Sequence, residues 1–284
     1  MIIERLGINQ DVELLSNFLK SKISNRSLTI TNIPLKLSKP INKIVIYIKN
    51  PKDINAAFDI GKSGLTKNGY NLYFIFPSNP SIDLISHEVN HAYQFMMKGR
   101  EKSIQSLHRL RSARLASGLL PFGGKNSKLN EVVDLIYYLS DSEIDSFTTE
   151  IYTDIKELSK RYKIDKKSFV SLVSESEPYK ICKFIDPIKL SDYLSDVSID
   201  DKIKFFSVLK EEESRLKGIN IKNDLFRKLT DLYHFIKTYV LNIDPVKKIE
   251  LDNLNLTIDK WDKYLKIKSD KLKKKLFRLY DLLD

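Results

Sequence analysis

The segment 81–98 constrains the fold more than any other part of the chain. It follows the strand-stopping sequence Pro77-Ser78-Asn79-Pro80, Ser81 can cap a helix, and Gly99 is expected just past the helix end. At about 100° per residue, the apolar side chains fall on one side, so the segment predicts a helix that packs that side on a core. The apolar face comprises Ile82, Ile85, Val89, Ala92, Tyr93 and Met96.

The opposite face of this helix carries a His-Glu-x-x-His sequence. With His87 at zero, His91 lies near 40° and Glu88 near 100°, so the three side chains share one face. Two imidazoles one turn apart can bind one Zn²⁺, and a Glu between them can reach a metal-bound water as general base. The alternative is an amphipathic helix whose histidines are only hydrogen-bonded or surface groups.

A catalytic zinc site needs a third protein ligand, and a carboxylate is the best candidate. Gln94 and Met97 occupy the positions where a closely spaced third-histidine pattern has other residues, and His108 and His234 are poor candidates. Glu143 is expected in the first turn of a new helix. Other candidates are Asp145, Glu150 and Glu131.

Glu143 also fits a purely structural role. The sequence Ser140-Asp141-Ser142-Glu143 matches a capping box, in which the Glu side chain bonds the backbone at the start of its helix. Both interpretations stay open from the sequence.

His87-Glu88-x-x-His91, followed by Tyr137-Tyr138-x-Ser140-x-x-Glu143-x-x-Ser146, resembles the zincin metallopeptidases with a glutamate ligand (gluzincin-like), which occur in many small bacterial and phage proteins. The resemblance covers roughly residues 40 to 155. It implies His87, His91 and Glu143 as zinc ligands, Glu88 as the base, and Ser146 as a small residue that allows close helix packing. It also implies that strand 70–76 forms the sheet edge along which an extended peptide substrate binds.

Two tyrosines precede the expected ligand helix. Tyr138, or else Tyr137, could donate a hydrogen bond to a developing oxyanion. Adjacent tyrosines at such a position are more often core residues with a hydrated hydroxyl.

The chain as a whole predicts an α+β fold: a small mixed sheet with the motif helix, zincin-like, followed by a mostly all-α C-terminal part. Strands are expected at 42–49 and 70–76, and three regions at 1–40 (lead-in), 41–160 (zincin-like domain) and 161–284 (helical region). Helices are expected at 12–19, 103–117, 128–139, 141–162, 165–175, 198–217, 221–242 and 246–283. The last has a near-heptad apolar stripe interrupted at Lys268, which favours docking on its own domain over a coiled-coil dimer.

Composition excludes several classes of protein. With 42% hydrophobic and 30% charged residues, the chain is neither disordered nor collagen-like. The densest apolar run, at 132–139, is too short to span a membrane, and no signal peptide is evident. Cys182 is the only cysteine, so neither an intramolecular disulfide nor a thiolate metal cluster can form. A cytoplasmic location fits best, or a virion-associated one if the protein is phage-encoded.

The net charge of +11 favours an anionic partner. Basic residues concentrate in segments 98–128 and 260–278, which could contact nucleic acid or acidic substrates, although a solvated face is the simpler explanation. The Gly-rich stretch 118–125 fails as a phosphate loop because Asn126 replaces the required Ser or Thr.

Together these patterns predict a zinc-dependent peptidase that acts on a peptide or protein substrate. The alternative is a zincin-like structural or interaction protein, for example a virion or head-to-tail component of a phage, with little or no peptidase activity. A nucleic-acid-binding protein is a third hypothesis. The sequence leaves the oligomeric state open.

Overall fold

The computed structural model describes residues 9–49, 56–103, 127–203, 205–207, 209 and 251–282. The chain is an α+β protein, mostly helical with a small mixed sheet, as the sequence predicts. It divides into two compact units. In the described residues, the first unit comprises 9–49, 56–103, 140–182 and 270–282, and the second comprises 127–139, the described part of 183–209, and 251–269.

Five strands form the sheet of the first unit: β1 (Leu28–Ile30), β2 (Ile41–Ile48), β3 (Ala57–Phe58), β4 (Gly64–Thr66) and β5 (Gly69–Phe76). The predicted strands correspond to β2 and β5, which pair in parallel. β1 pairs antiparallel with the other side of β2, while β3 and β4 pair antiparallel with β5. The prediction that strand 70–76 is the sheet edge is therefore wrong, because β5 has partners on both sides. The short strands β3 and β4, which pair with one side of β5, lie in segment 57–66, whose sequence shows no strand pattern.

The helices are α1 (Gln10–Lys22), α2 (Ile82–Ser103), α3 (Ser127–Tyr138), α4 (Asp141–Ser159), α5 (Lys166–Glu175), α6 (Glu177–Ile185), α7 (Leu190–Tyr193) and α8 (Leu251–Arg278), which continues as a 3₁₀ turn, Leu279–Leu282. Residues 199–203, 205–207 and 209 are also helical. The helices expected at 103–117 and 221–242 lie outside the described residues. None of the helices in the described ranges combines the length and apolar character needed to cross a lipid bilayer.

The motif helix α2 is longer than the sequence predicts. It continues through Gly99 to Ser103, so the expected end at Gly99 is wrong. Glycine permits the left-handed cap that ends many helices, but it does not require one, and inside a helix it costs only about 1 kcal/mol.

One face of α2 packs on the sheet, together with α1, and this packing forms the core of the first unit. Ile85, Val89, Ala92 and Met96 of the predicted apolar face are all buried there, which confirms the predicted helix orientation. The sheet and α1 contribute the other fully buried side chains, which are Val12, Leu15, Leu19, Ile44, Ile46, Leu72, Phe74 and Phe76. The orientation of α2 therefore leaves its other face for α4.

The last helix, α8, buries its apolar stripe within its own chain. The buried positions include Leu254, Ile258, Trp261, Leu265, Leu272 and Leu276. Ser269, which is fully buried, fills the gap in the stripe between Leu265 and Leu272, whereas Lys268 lies at the margin. The predicted burial of the stripe is confirmed, but α8 does not belong to one domain, since 251–269 are part of the second unit and 270–278 part of the first.

Replacing Gly69, at the start of β5, by alanine should destabilise the fold. Its φ is +119°, and a Cβ there would lie 2.6 Å from the Pro40 carbonyl oxygen, which accepts the neighbouring Tyr70 N–H. We expect Gly69→Ala to lower the free energy of unfolding by about 2 kcal/mol, measured by urea denaturation. Gly64→Ala is the matched control, since a Cβ at Gly64 meets nothing within 4 Å. Equal stability of the two variants would contradict the prediction.

Candidate metal centre

The predicted ligand residues lie where α2 and α4 pack against each other. His87 and His91 are one turn apart on the face of α2 that is turned away from the sheet. Glu143 lies in the first turn of α4, which begins after Ser140, and the Ser140 hydroxyl accepts the Glu143 backbone N–H. The cap therefore uses the Glu143 backbone, while its carboxylate is turned toward the histidines.

The two imidazole nitrogens and the Glu143 carboxylate form a triangle, in which the carboxylate, with both of its oxygens, is one corner; one ligand atom from each residue lies within 4.8 Å of the other two. The His87 and His91 Nε2 atoms are 3.2 Å apart, and the Glu143 carboxylate places one oxygen 3.3 Å from His87 Nε2 and the other 3.4 Å from His91 Nε2. Ligands held about 2.1 Å from a tetrahedral ion are separated by about 3.4 Å. Among the described residues, these three could hold a metal ion.

The triangle is shielded from water, most of all at the carboxylate. The side chain of Glu143 is 2% exposed, and those of His87 and His91 are 12% and 14% exposed. Burial by itself lowers the pKa of His87, but hydrogen bonds to Glu143 and Glu150, together with the charges of Glu143 and Glu88, raise that pKa well above its usual value. The negative charge around the imidazole thus favours a cation at this point, whether a proton or a metal ion.

Each imidazole is held through its second nitrogen. Glu150 Oε2 lies 2.7 Å from His87 Nδ1, and the Ser146 hydroxyl lies 3.3 Å from His91 Nδ1. Because an ionised carboxylate only accepts hydrogen bonds, the neutral form of His87 carries its hydrogen on Nδ1, which leaves the Nε2 lone pair for a metal that displaces the second proton. The sequence alone indicates Glu150 only as an alternative ligand, whereas in the structure it orients the His87 ring. Its position seven residues after Glu143, on the same helix face, is the signal that could have indicated this orienting role.

Further polar contacts join α2 and α4, and all of them follow one register. Asn90 donates to the Ser146 hydroxyl at 3.2 Å, and Gln94 donates to the Ser142 carbonyl at 3.1 Å. As residue numbers rise along α2, those of the partners on α4 fall, so the two helices run antiparallel. The buried polar side chains of these two helices are Ser86, Glu88, Asn90, Gln94, Ser142, Glu143, Ser146, Thr148 and Thr149.

Glu88, the predicted base, is buried beside the edge of the sheet. Its Oε2 accepts the backbone N–H of Phe58 at 2.6 Å. Asp59, which directly follows β3, donates its N–H to the Tyr73 carbonyl of β5, so the N–H of the preceding residue, Phe58, faces outward from the sheet. Sequence reasoning missed this contact because Ala57–Phe58 is too short to show a strand pattern.

The other predicted candidates lie elsewhere. Asp145 pairs with Lys275, and Glu131 accepts a hydrogen bond from the Tyr193 hydroxyl in the second unit. Neither belongs to the histidine cluster. Tyr137 and Tyr138 end α3 in the second unit, with their rings 5.4 Å apart. The role of Tyr138 as an oxyanion donor stays a prediction.

The structure describes part of the two basic segments. Most of segment 98–128 and the Gly-rich stretch 118–125 lie outside the described residues, and Lys128 pairs with Asp196. In segment 260–278, four lysines pair with aspartates of this chain: Lys266, Lys271, Lys273 and Lys275. An anionic partner for either segment stays a prediction.

Comparisons of the chain with protein-family models, with curated proteins and with solved structures gave no match. Its function therefore has to be inferred from the chemistry of the described residues.

Glu150 should affect metal binding although its carboxylate lies on the far side of the imidazole. We expect Glu150→Gln to weaken binding of zinc about tenfold, measured by competition with a chelating dye, because the neutral amide holds the His87 ring less firmly. Glu157→Gln, on the same helix in a pair with Lys160, is the control and should bind zinc as the wild type does. Equal affinity of the wild type and Glu150→Gln would refute this role.

The raised pKa of His87 predicts opposite pH dependences with and without metal. In protein stripped by a chelator, the protonated imidazole stabilises the fold below its usual pKa of 6.5, and this contribution is lost as the pH rises through the raised pKa. With zinc present, the stability that the metal confers should instead grow with pH, because the ion binds the neutral imidazole. Urea denaturation of the wild type and of His87→Gln at several pH values gives the contribution of His87 to the free energy of unfolding at each pH. A His87 contribution that does not change with pH in the stripped protein would count against this assignment.

Proposed function

We propose that this protein is a zinc-dependent peptidase with a zincin-like catalytic core. His87, His91 and Glu143 would hold the ion, and Glu88 would act as the general base. The observation that carries the proposal is the triangle of His87, His91 and the Glu143 carboxylate: its imidazole nitrogens are 3.2 Å apart, each lies 3.3 to 3.4 Å from one carboxylate oxygen, and one ligand atom from each residue lies within 4.8 Å of the others, as ligands of a single ion must.

The set of ligands favours a catalytic rather than a closed structural zinc site. Two histidines and one glutamate leave the fourth tetrahedral position for water, whereas structural zinc sites use four protein ligands, mostly cysteines. The only cysteine, Cys182, is buried and forms no disulfide. Nitrogen and oxygen ligands also accept other transition ions, so the identity of the metal belongs to the proposal.

Bound zinc would supply a Lewis acid that lowers the pKa of water and stabilises negative charge on the carbonyl oxygen of the substrate. The protein's own residues contribute proton transfer, which we assign to Glu88. The Phe58 N–H holds one oxygen of the Glu88 carboxylate, which fixes the side chain and leaves the other oxygen to take a proton from water. Glu88 then passes this proton to the departing amine.

In our proposal the peptide substrate lies next to the edge strand β3, beside Glu88, rather than along β5. The backbone of Phe58 itself does not pair with the substrate, because its N–H donates to Glu88 and its carbonyl accepts the Ile60 N–H.

The first test of the proposal combines metal content with turnover. Wild-type protein prepared without a chelator should contain about one zinc per chain by elemental analysis, and His87→Ala and Glu143→Ala should lose it. Glu131→Ala, in the second unit, is the control and should keep it. A wild type without bound metal would reject the metal centre and the peptidase function together.

Turnover is tested with Glu88→Gln. This variant should keep its zinc but cleave unfolded proteins at least about 100-fold more slowly than the wild type, counted as new peptide termini by mass spectrometry. Equal cleavage by Glu88→Gln would exclude Glu88 as the base. Bound zinc in a wild type that cleaves nothing would instead favour the zincin-like structural or interaction protein, in which the ion ties α2 to α4.

A further inference from the structure

Three carboxylates crowd the first five residues of α4. Asp141 and Asp145 are one turn apart on one side, and Glu143 lies about 160° to 200° around the helix from them. Negative charge is favourable at a helix N-terminus, but three like charges this close repel one another. Glu143 therefore needs its neighbours neutralised if its own carboxylate is to stay buried beside the histidines.

Two lysines of α8 neutralise the two aspartates. Lys271 Nζ is 2.6 Å from Asp141, and Lys275 Nζ is 2.6 Å from Asp145. Like the aspartates, the lysines are four residues apart, so one turn of α8 faces one turn of α4. The pair of Lys275 and Asp145 is well shielded, with side chains 14% and 20% exposed, whereas that of Lys271 and Asp141 is 44% and 48% exposed.

We infer that Lys271 and Lys275 are positioning residues of the metal centre. They hold the first turn of α4 from the side opposite to Glu143, while α2 holds it from the front through His87 and His91. Lys275 carries most of the effect, because an ion pair shielded from water is screened less than an exposed one. This inference rests on the metal centre of the proposed function and adds residues from α8 that no ligand pattern includes.

The chain offers a matched control for this role. Lys273 lies between the two positioning lysines and pairs with Asp270 of its own helix at 2.9 Å. A charge change at Lys273 alters the same helix and the same net charge. Only a change at Lys275 should reach the ligand turn.

The test measures zinc affinity by competition with a chelating dye. We expect Lys275→Glu to bind zinc about tenfold more weakly than the wild type, because the new carboxylate repels Asp145 and displaces the turn that carries Glu143. Lys273→Glu should bind like the wild type. Exchange of the two charges, with Lys275→Asp and Asp145→Lys combined, should recover most of the lost affinity, and Lys275→Arg should lose little.

The outcomes separate this inference from the proposed function. A wild type that binds no zinc would reject the metal centre itself. If the wild type binds zinc and Lys275→Glu binds it equally well, the positioning role is wrong and the metal centre stands. If the charge exchange does not recover the lost zinc affinity, Lys275 contributes only to the general stability of the fold, and the positioning role is wrong. If Lys275→Glu fails to fold, Lys275→Met, which keeps the apolar stem, replaces it with the same expected order of affinities.

Discussion

The burial of the Glu143 carboxylate between two helices is the interaction on which the rest of the site depends. Removing an ionised carboxylate from water costs several kcal/mol unless cations or hydrogen bonds compensate. Here the compensation comes from two imidazoles, each held in place by its own partner on α4. A divalent ion at the centre of the triangle would compensate more effectively than a shared proton, and this is the physical argument for our proposal of a metal centre.

The ligand atoms can be held firmly because α2 and α4 are each fixed on more than one side. α2 buries Ile85, Val89 and Ala92 against the sheet and presents its histidines on the other face. α4 meets α2 on one side and the lysines of α8 on the other. Ligands placed on packed helices keep their separations better than ligands on loops, and this rigidity suits a site that must bind a metal with defined geometry.

The sequence was informative where local periodicity decides the structure. The orientation of α2, the strands β2 and β5 and the stripe of α8 all follow from the spacing of apolar residues, and the structure confirms them. The contact of Glu88 with Phe58 and the pairs of Lys271 and Lys275 could not be predicted, because they join residues 30 and 130 positions apart. The choice between a cap and a ligand at Glu143 was open for the same reason. Its neighbours in sequence suit both roles, and only the packing of α4 on α2 turns the carboxylate toward the histidines.

The antiparallel register of α2 and α4 explains why one stripe of α4 supplies groups of different kinds. Two histidines one turn apart on α2 need two partners one turn apart on α4, in reverse order, and Glu150 and Ser146 meet that requirement. Glu143 then lies one further turn toward the start of α4, where the capped N-terminus favours a carboxylate. Glu143, Ser146 and Glu150 are thus spaced by three and four residues because helical geometry places them so. The same spacing after a His-Glu-x-x-His helix is a more demanding sequence signal than a lone glutamate, since it specifies both the ligand and the groups that orient the histidines.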